Sequence, residues 1–224
     1  SLIRDRMVVT AWLLTAGILL TLLISVPAAI TAALYRDRTA DQVIRGAGLL
    51  GLSMPAFWVG VMLLLLVALP TGWFPPGGFG ETFGERLRSI FLPALTLAIG
   101  SSPFIIRSLR ASMISVLNSD YVATGRSIGG SRRRLIRRFV LRNAAVSSVT
   151  VLALEIGFLL FGAVIIETTF ALPGLGQGLV LAARGRDLPA IQGYTLLFAL
   201  IVVAVYLLAD IATAMLDPRV EIET

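Results

Sequence analysis

Two stretches carry residue types at a spacing that invites chemistry. The first, GLGQG at residues 174–178, is glycine-rich enough to cradle a phosphate. A nucleotide loop of that kind needs G-x-x-x-x-G-K-[ST], with the lysine reaching the terminal phosphates. This chain has no lysine; all 19 of its basic residues are arginine. GLGQG therefore reads as a turn. The second stretch, DYVATGRSIGGSRRRLIRRFVLRN at residues 120–143, gathers seven arginines around a Gly-Gly pair. The chain has no histidine and no cysteine, which removes the commonest general base and the imidazole and thiolate ligands of metal sites. No catalytic residue and no metal ligand is assigned, and the chain is expected to bind no cofactor of its own.

The elements that must position the basic stretch are apolar. Of 224 residues, 57% are hydrophobic and only 14% charged, against about 25% charged in an ordinary soluble domain. Crossing a bilayer takes roughly 20 apolar residues in a helix. Five runs qualify, at 8–34, 46–70, 90–106, 144–166 and 194–216, so the expectation is an all-α polytopic membrane protein with five transmembrane helices, forming a single domain over residues 1–224. Thirteen arginines fall on the side of the chain that holds 120–143, and six on the other. The positive-inside rule then makes that stretch and the C-terminus cytoplasmic. It also makes Ser1 external, which is awkward without a preceding span, so one further helix upstream is expected. The segments 71–89 and 171–193 become external loops. Pro27, Pro55, Pro93 and Pro103 sit in or near the apolar runs, where neighbouring helices satisfy the carbonyls they free. Gly157 and Gly162, with Ala153 and Ala163, make the fourth run smooth enough for close packing.

Within the cytoplasmic segment 118–142, Ser119 can cap a helix whose first turn holds Asp120, and Gly129 and Gly130 stop it. Beyond Ser131, Leu135, Ile136, Phe139 and Val140 recur at helical spacing opposite five arginines, the pattern of an amphipathic helix lying on a membrane surface. The first helix is rich in small residues (Ala123, Thr124, Gly125, Ser127) and suits a protein groove. Residue physics alone leaves two readings open, an anchor to anionic lipid and a docking helix for a cytoplasmic partner.

DYVATGRSIGG followed by LRNA resembles the coupling-loop motif of ABC importer permeases, often written EAA–x3–G, in the dipeptide, oligopeptide and nickel branch. GLSMPAFWVG (51–60), ETTFALPGLGQ (167–177), RDLPAIQG (186–193) and LDPRV (216–220) are similar to that branch in the same order, and the likeness covers nearly the whole chain. The Glu-Ala-Ala positions fall on Ala123, Thr124 and Gly125, so the motif's acid is absent, and only Gly129 keeps the literal consensus. The resemblance implies the type I ABC importer permease fold, usually of six helices, and a bacterial inner-membrane location. The implied partners are a homologous second permease, two ATPase subunits (or one fused pair), an extracytoplasmic substrate-binding protein and membrane lipid; nucleic acid is not among them. ATP and Mg would belong to the ATPases. Asp120, Tyr121, Ala123, Thr124, Gly125, Arg126 and Gly129 would couple to an ATPase, and Pro173, Gly174 and Gly176 would form an outer gate loop. The implied cargo is a di- or oligopeptide, with nickel-chelate or glutathione-like import as the alternative; an ion-coupled carrier or channel, or a lipid- or nucleic-acid-binding membrane anchor explained by the arginines alone, are rival classes.

Glu155 lies midway along the fourth run. An acid at that depth costs about 2.5–3.5 kcal/mol on insertion scales, so it should either line the translocation pathway, where it could read a peptide amino group, or pair with a polar partner. Glu167 and Asp210, nearer span ends, read as structural, and Arg107 can snorkel to the interface.

Overall fold

A computed structural model describes the backbone of residues 2–119, 122 and 141–216, with side chains at all of these except 2, 141–150, 152, 153, 209, 210 and 212–216. The coupling residues Asp120, Tyr121, Ala123, Thr124, Gly125, Arg126 and Gly129, the amphipathic segment beyond Ser131, and the Asp210 side chain therefore lie outside the described residues. Among the described residues every regular element is helical: α1 (Leu2–Leu34), α2 (Thr39–Ser53), α3 (Ala56–Leu63), α4 (Leu69–Thr71), α5 (Phe83–Leu117), α6 (Leu141–Thr169), α7 (Leu175–Arg184) and α8 (Leu188–Leu216). All five apolar runs are helical. α1, α5 and α8 are each long and apolar enough to cross a membrane as single helices, and α6 carries the fourth run.

The second run departs from the expected single span. It is bent by 101° between α2 and the α3–α4 segment. Proline disfavours helical geometry in the residue before it, and Met54 accordingly takes φ −97°, ψ 130°, with Pro55 extended beside it. Past α3 the helix widens: Leu64–Ala68 is π-helical, and the Leu69 amide donates to the Leu64 carbonyl five residues back. Pro70 follows at once and has no amide to give. The third run is longer than its apolar part. Thr82 opens α5 with a capping box, its hydroxyl accepting from the Glu85 amide at 3.3 Å while the Glu85 carboxylate accepts from the Thr82 amide at 3.2 Å. Residues 83–89 of the expected loop 71–89 are thus helical. The segment 171–193 likewise contains α7 and the start of α8.

α5 is the central helix. In its most apolar stretch 72% of residues are buried, against 28% in α1 and 6% in α8. Its Ile90, Leu92, Ala94 and Leu97 meet Val9 and Leu13 of α1 and Leu159, Ala163 and Ile166 of α6. Leu97 lies between two glycines, Gly17 of α1 and Gly162 of α6, which leave room for its side chain. Small residues are what let helices approach where the surrounding solvent is itself apolar. Gly157 does the same for α6 against Tyr206 of α8. Outward, Leu23, Leu66, Phe158, Leu196 and Val203 are well exposed; apolar surface so extensive suits hydrocarbon or a partner helix rather than water.

The α6–α8 seam yields a prediction. Gly157→Val places methyl groups on the Tyr206 ring and should cost about 1–3 kcal/mol through overpacking. Adding Tyr206→Ala should recover part of the loss, measured as the thermal unfolding midpoint of the detergent-purified protein.

Candidate functional site

The helices meet in polar clasps at opposite ends of the bundle. At one end the α1–α2 turn is fastened to α5. The Arg110 guanidinium donates from Nε to Asp41 Oδ1 at 2.7 Å and from Nη2 to Oδ2 at 2.6 Å. Asp41 is fully buried, and its Oδ2 also accepts from the Asp37 amide at 3.0 Å. Asp37 holds φ 62°, a left-handed conformation that aspartate tolerates better than most residues. A two-pronged charged bond of this kind fixes orientation as well as distance.

At the same end α5 runs out into the basic stretch. The Asn118 amide donates to the Ile114 and Ser115 carbonyls. The Ser119 hydroxyl donates back to the Val116 carbonyl at 2.6 Å, so it finishes α5 as well as standing where a cap for the next helix was expected. Val122 is the one described residue between Asp120 and Gly129. Its amide donates to the Ser119 carbonyl at 3.1 Å, and its side chain, 1% exposed, packs in a cluster with Ala29 and Ala33 of α1 and Ile106, Leu109 and Met113 of α5. The chain thus turns back on leaving α5 and plants a valine in the seam between two helices.

Glu155 lies at the middle of the bundle, 7% exposed. The polar group facing its carboxyl is Ser101 of α5. One residue on, the Ser102 carbonyl accepts from the Ser25 hydroxyl of α1 at 3.3 Å. In this conformation Glu155 is enclosed by the chain's own helices.

The far end is organised by Glu167, which is fully buried. Its carboxylate accepts from the Thr10 hydroxyl of α1 at 2.6 Å and from the Gln177 amide at 3.1 Å. The Thr10 oxygen in turn accepts from the Leu175 amide at 2.9 Å. Leu175 and Gln177 lie in the first turn of α7, whose leading amides have no partner within the helix. No side chain of α7's own N-terminus caps it; Glu167 and Thr10 take that part from two other helices. GLGQG is therefore a helix start rather than a plain turn. A Cβ at Gly174 would push into the Glu167 carboxylate and displace it from its partners, and a Cβ at Gly176 would lie 2.5 Å from Val164 Cα, which is backbone and cannot give way. The Gly174 carbonyl accepts from Arg6 Nη1 at 3.0 Å. Pro173, Gly174 and Gly176, named together from the sequence, are thus brought to one cluster with α1. Beside it the Phe170 ring is buried against Gly60 and the Phe170 carbonyl accepts from the Gly78 amide at 3.3 Å, joining the loop before α5 to the same end.

The fold agrees with what the chain is similar to. Residues 25–222 match the family model described as binding-protein-dependent transport system inner membrane component. The chain belongs to this family. A putative peptide transport system permease protein of Brucella suis is 37% identical over 221 residues, covering 97% of this chain and 70% of that protein. The oligopeptide transport system permease protein AppB of Bacillus subtilis is 35% identical over 227 residues, covering 99% and 72%. A solved structure of the MetNI methionine ABC transporter in inward facing conformations matches at a TM-score of 0.81 with 14% identity, covering 96% of both chains; that likeness concerns the fold. As an inner membrane component, this protein is a multi-pass membrane protein.

Nothing in the sequence alone pairs Asp41 with Arg110 or Thr10 with Glu167, or singles out Val122. Asp41→Asn should leave the Arg110 guanidinium without its charged partner and cost about 3 kcal/mol. The double change Asp41→Asn with Arg110→Gln should cost less than that single change, as read from unfolding midpoints.

Proposed function

We propose that this permease forms half of the membrane pathway of an ATP-driven importer of di- or oligopeptides, paired with a homologous second permease, driven by two cytoplasmic ATPase subunits and supplied by an extracytoplasmic binding protein. The observation that carries the reading is the burial of Val122 in the α1–α5 seam. A docking segment can pass force into a bundle only if it is packed into it. Interiors are dense and transmit displacement rather than absorbing it, so a shift of residues 120–129 moves the ends of α1 and α5 with Val122. The names of the peptide permeases at 35–37% identity support the cargo class.

In this reading the Asp41 end is cytoplasmic, in line with the arginine count, and the Glu167 end faces the binding protein. ATP and Mg reside on the ATPases. ATP binding there draws the two engines together and biases the bundle between inward- and outward-open states. Asp120, Tyr121, Ala123, Thr124, Gly125, Arg126 and Gly129 contact the ATPase. Pro173, Gly174 and Gly176, held by Glu167 and Arg6, belong to the outer gate. Glu155 joins the pathway when α5 and α6 part, and offers its carboxyl to a peptide amino group.

Two measurements test this. Deletion of residues 120–130 should release the ATPase on co-purification while the permease stays in the membrane; an ATPase that remains bound overturns the coupling assignment. Glu155→Gln should lower uptake of peptides with a free amino terminus more than that of N-acetylated ones. Unchanged uptake of both removes Glu155 from the pathway.

A further inference from the structure

A groove of about 830 Å3 opens between α2 and α5 beside the Asp41–Arg110 pair. Its two halves differ in chemistry. Arg36, Arg45, Arg107 and Arg110 line the end nearest that pair, with Asp37. Arg110 is committed to Asp41, and Arg36 to Asp37 at 3.2 Å. Arg45 and Arg107 have no salt-bridge partner among the described residues, so with Asp37 and Asp41 set against four arginines two positive charges remain in excess there. Farther along α2 and α5, away from the Asp41–Arg110 pair, the lining is apolar, formed by Leu49 and Leu52 of α2 and Pro103 and Ile106 of α5. The slot continues onto an exposed apolar surface, with Leu49 61% and Phe104 42% exposed.

The groove exists because of a local backbone arrangement. Pro103 has no amide to give the Ile99 carbonyl four residues back. Gly51 of α2 approaches that freed oxygen, and Gly48 approaches the Pro103 ring. The two glycines bring α2 against α5 without filling the space beside them, and Asp41 pins the basic end.

We propose that this groove binds an anionic phospholipid, its phosphate between Arg45 and Arg107 and an acyl chain along Leu49, Leu52 and Ile106. A single negative charge on a phosphate matches the uncompensated guanidiniums, which bind phosphate oxygens through paired donors. The apolar half separates lipid from a free anion: a soluble phosphate would leave those walls without an occupant, whereas an acyl chain fills them and continues into the surrounding hydrocarbon. The site stands whether or not the chain imports peptides.

The test is lipid retention by the transporter complex containing this chain, extracted from membranes and exchanged into phosphatidylglycerol or phosphatidylcholine, then read by native mass spectrometry. Wild type should retain phosphatidylglycerol in preference to phosphatidylcholine. Arg45→Gln with Arg107→Gln should reduce that retention about tenfold or more, and Arg45→Lys with Arg107→Lys should keep most of it. Ala111→Phe, which crowds the groove with every arginine in place, should also lower retention, and covers the case in which the double glutamine variant does not fold. Arg184→Gln with Arg186→Gln, on the opposite end, should change nothing. Equal retention of the two lipids, or full retention by both the Ala111→Phe and the double glutamine proteins, overturns the proposal. So does inorganic phosphate at millimolar concentration displacing the signal as well as phosphatidylglycerol does, which would make the ligand a free anion.

Discussion

The bond between Asp41 and Arg110 sets the geometry on which much else depends. It is a buried carboxylate met by both prongs of a guanidinium, and it joins the first turn of α2 to the central helix. Breaking one partner would strand the other at the edge of an apolar bundle, where an unpaired charge is costly. With the pair in place α2 cannot slide along α5. The groove beside it, the turn carrying Arg36 and Asp37, and the seam that receives Val122 are all referred to the same stretch of α5.

Glu167 and Thr10 answer it at the far end by a different route. There the acid meets backbone amides and a hydroxyl, with Arg6 close by on the neighbouring carbonyl. Between the two clasps most contacts are apolar and depend on shape, Leu97 between two glycines and Tyr206 over a third, with the Ser25–Ser102 bond and the Glu155 carboxyl facing Ser101 as polar exceptions. Where lipid tails are as apolar as the side chains, burial alone gives little reason for helices to associate, and close packing and hydrogen bonds carry the specificity. Polar bonds concentrated near the ends and small residues in the middle follow from that constraint.

The bundle was legible in the sequence where its causes are local. Apolar runs marked the helices, and Gly157 and Gly162 marked close contacts. Pro55 also carried a local signal, yet the run around it was read as one span, because apolarity measures residence in lipid and says nothing about direction. The clasps were illegible for a plainer reason. Asp41 and Arg110 stand 69 residues apart, and Thr10 and Glu167 157 apart; no periodicity or spacing links such partners. The place of Glu167 near a span end marks it as structural but does not name its partners. Val122 was hidden by type, as one valine among many, distinguished only by the seam it fills. The coupling residues around it were named from a family motif, and their side chains are not among those described.

The length of α5 has a mechanical consequence. Its 35 residues make a rod of about 52 Å, some 20 Å more than the hydrocarbon slab it crosses. Pivoted near its capped beginning, such a rod needs to lean by only about 10° for its far tip to sweep about 9 Å. A modest stroke at the tip therefore becomes a small, well-controlled tilt inside the membrane, geared down where a passage must open by ångströms and then shut.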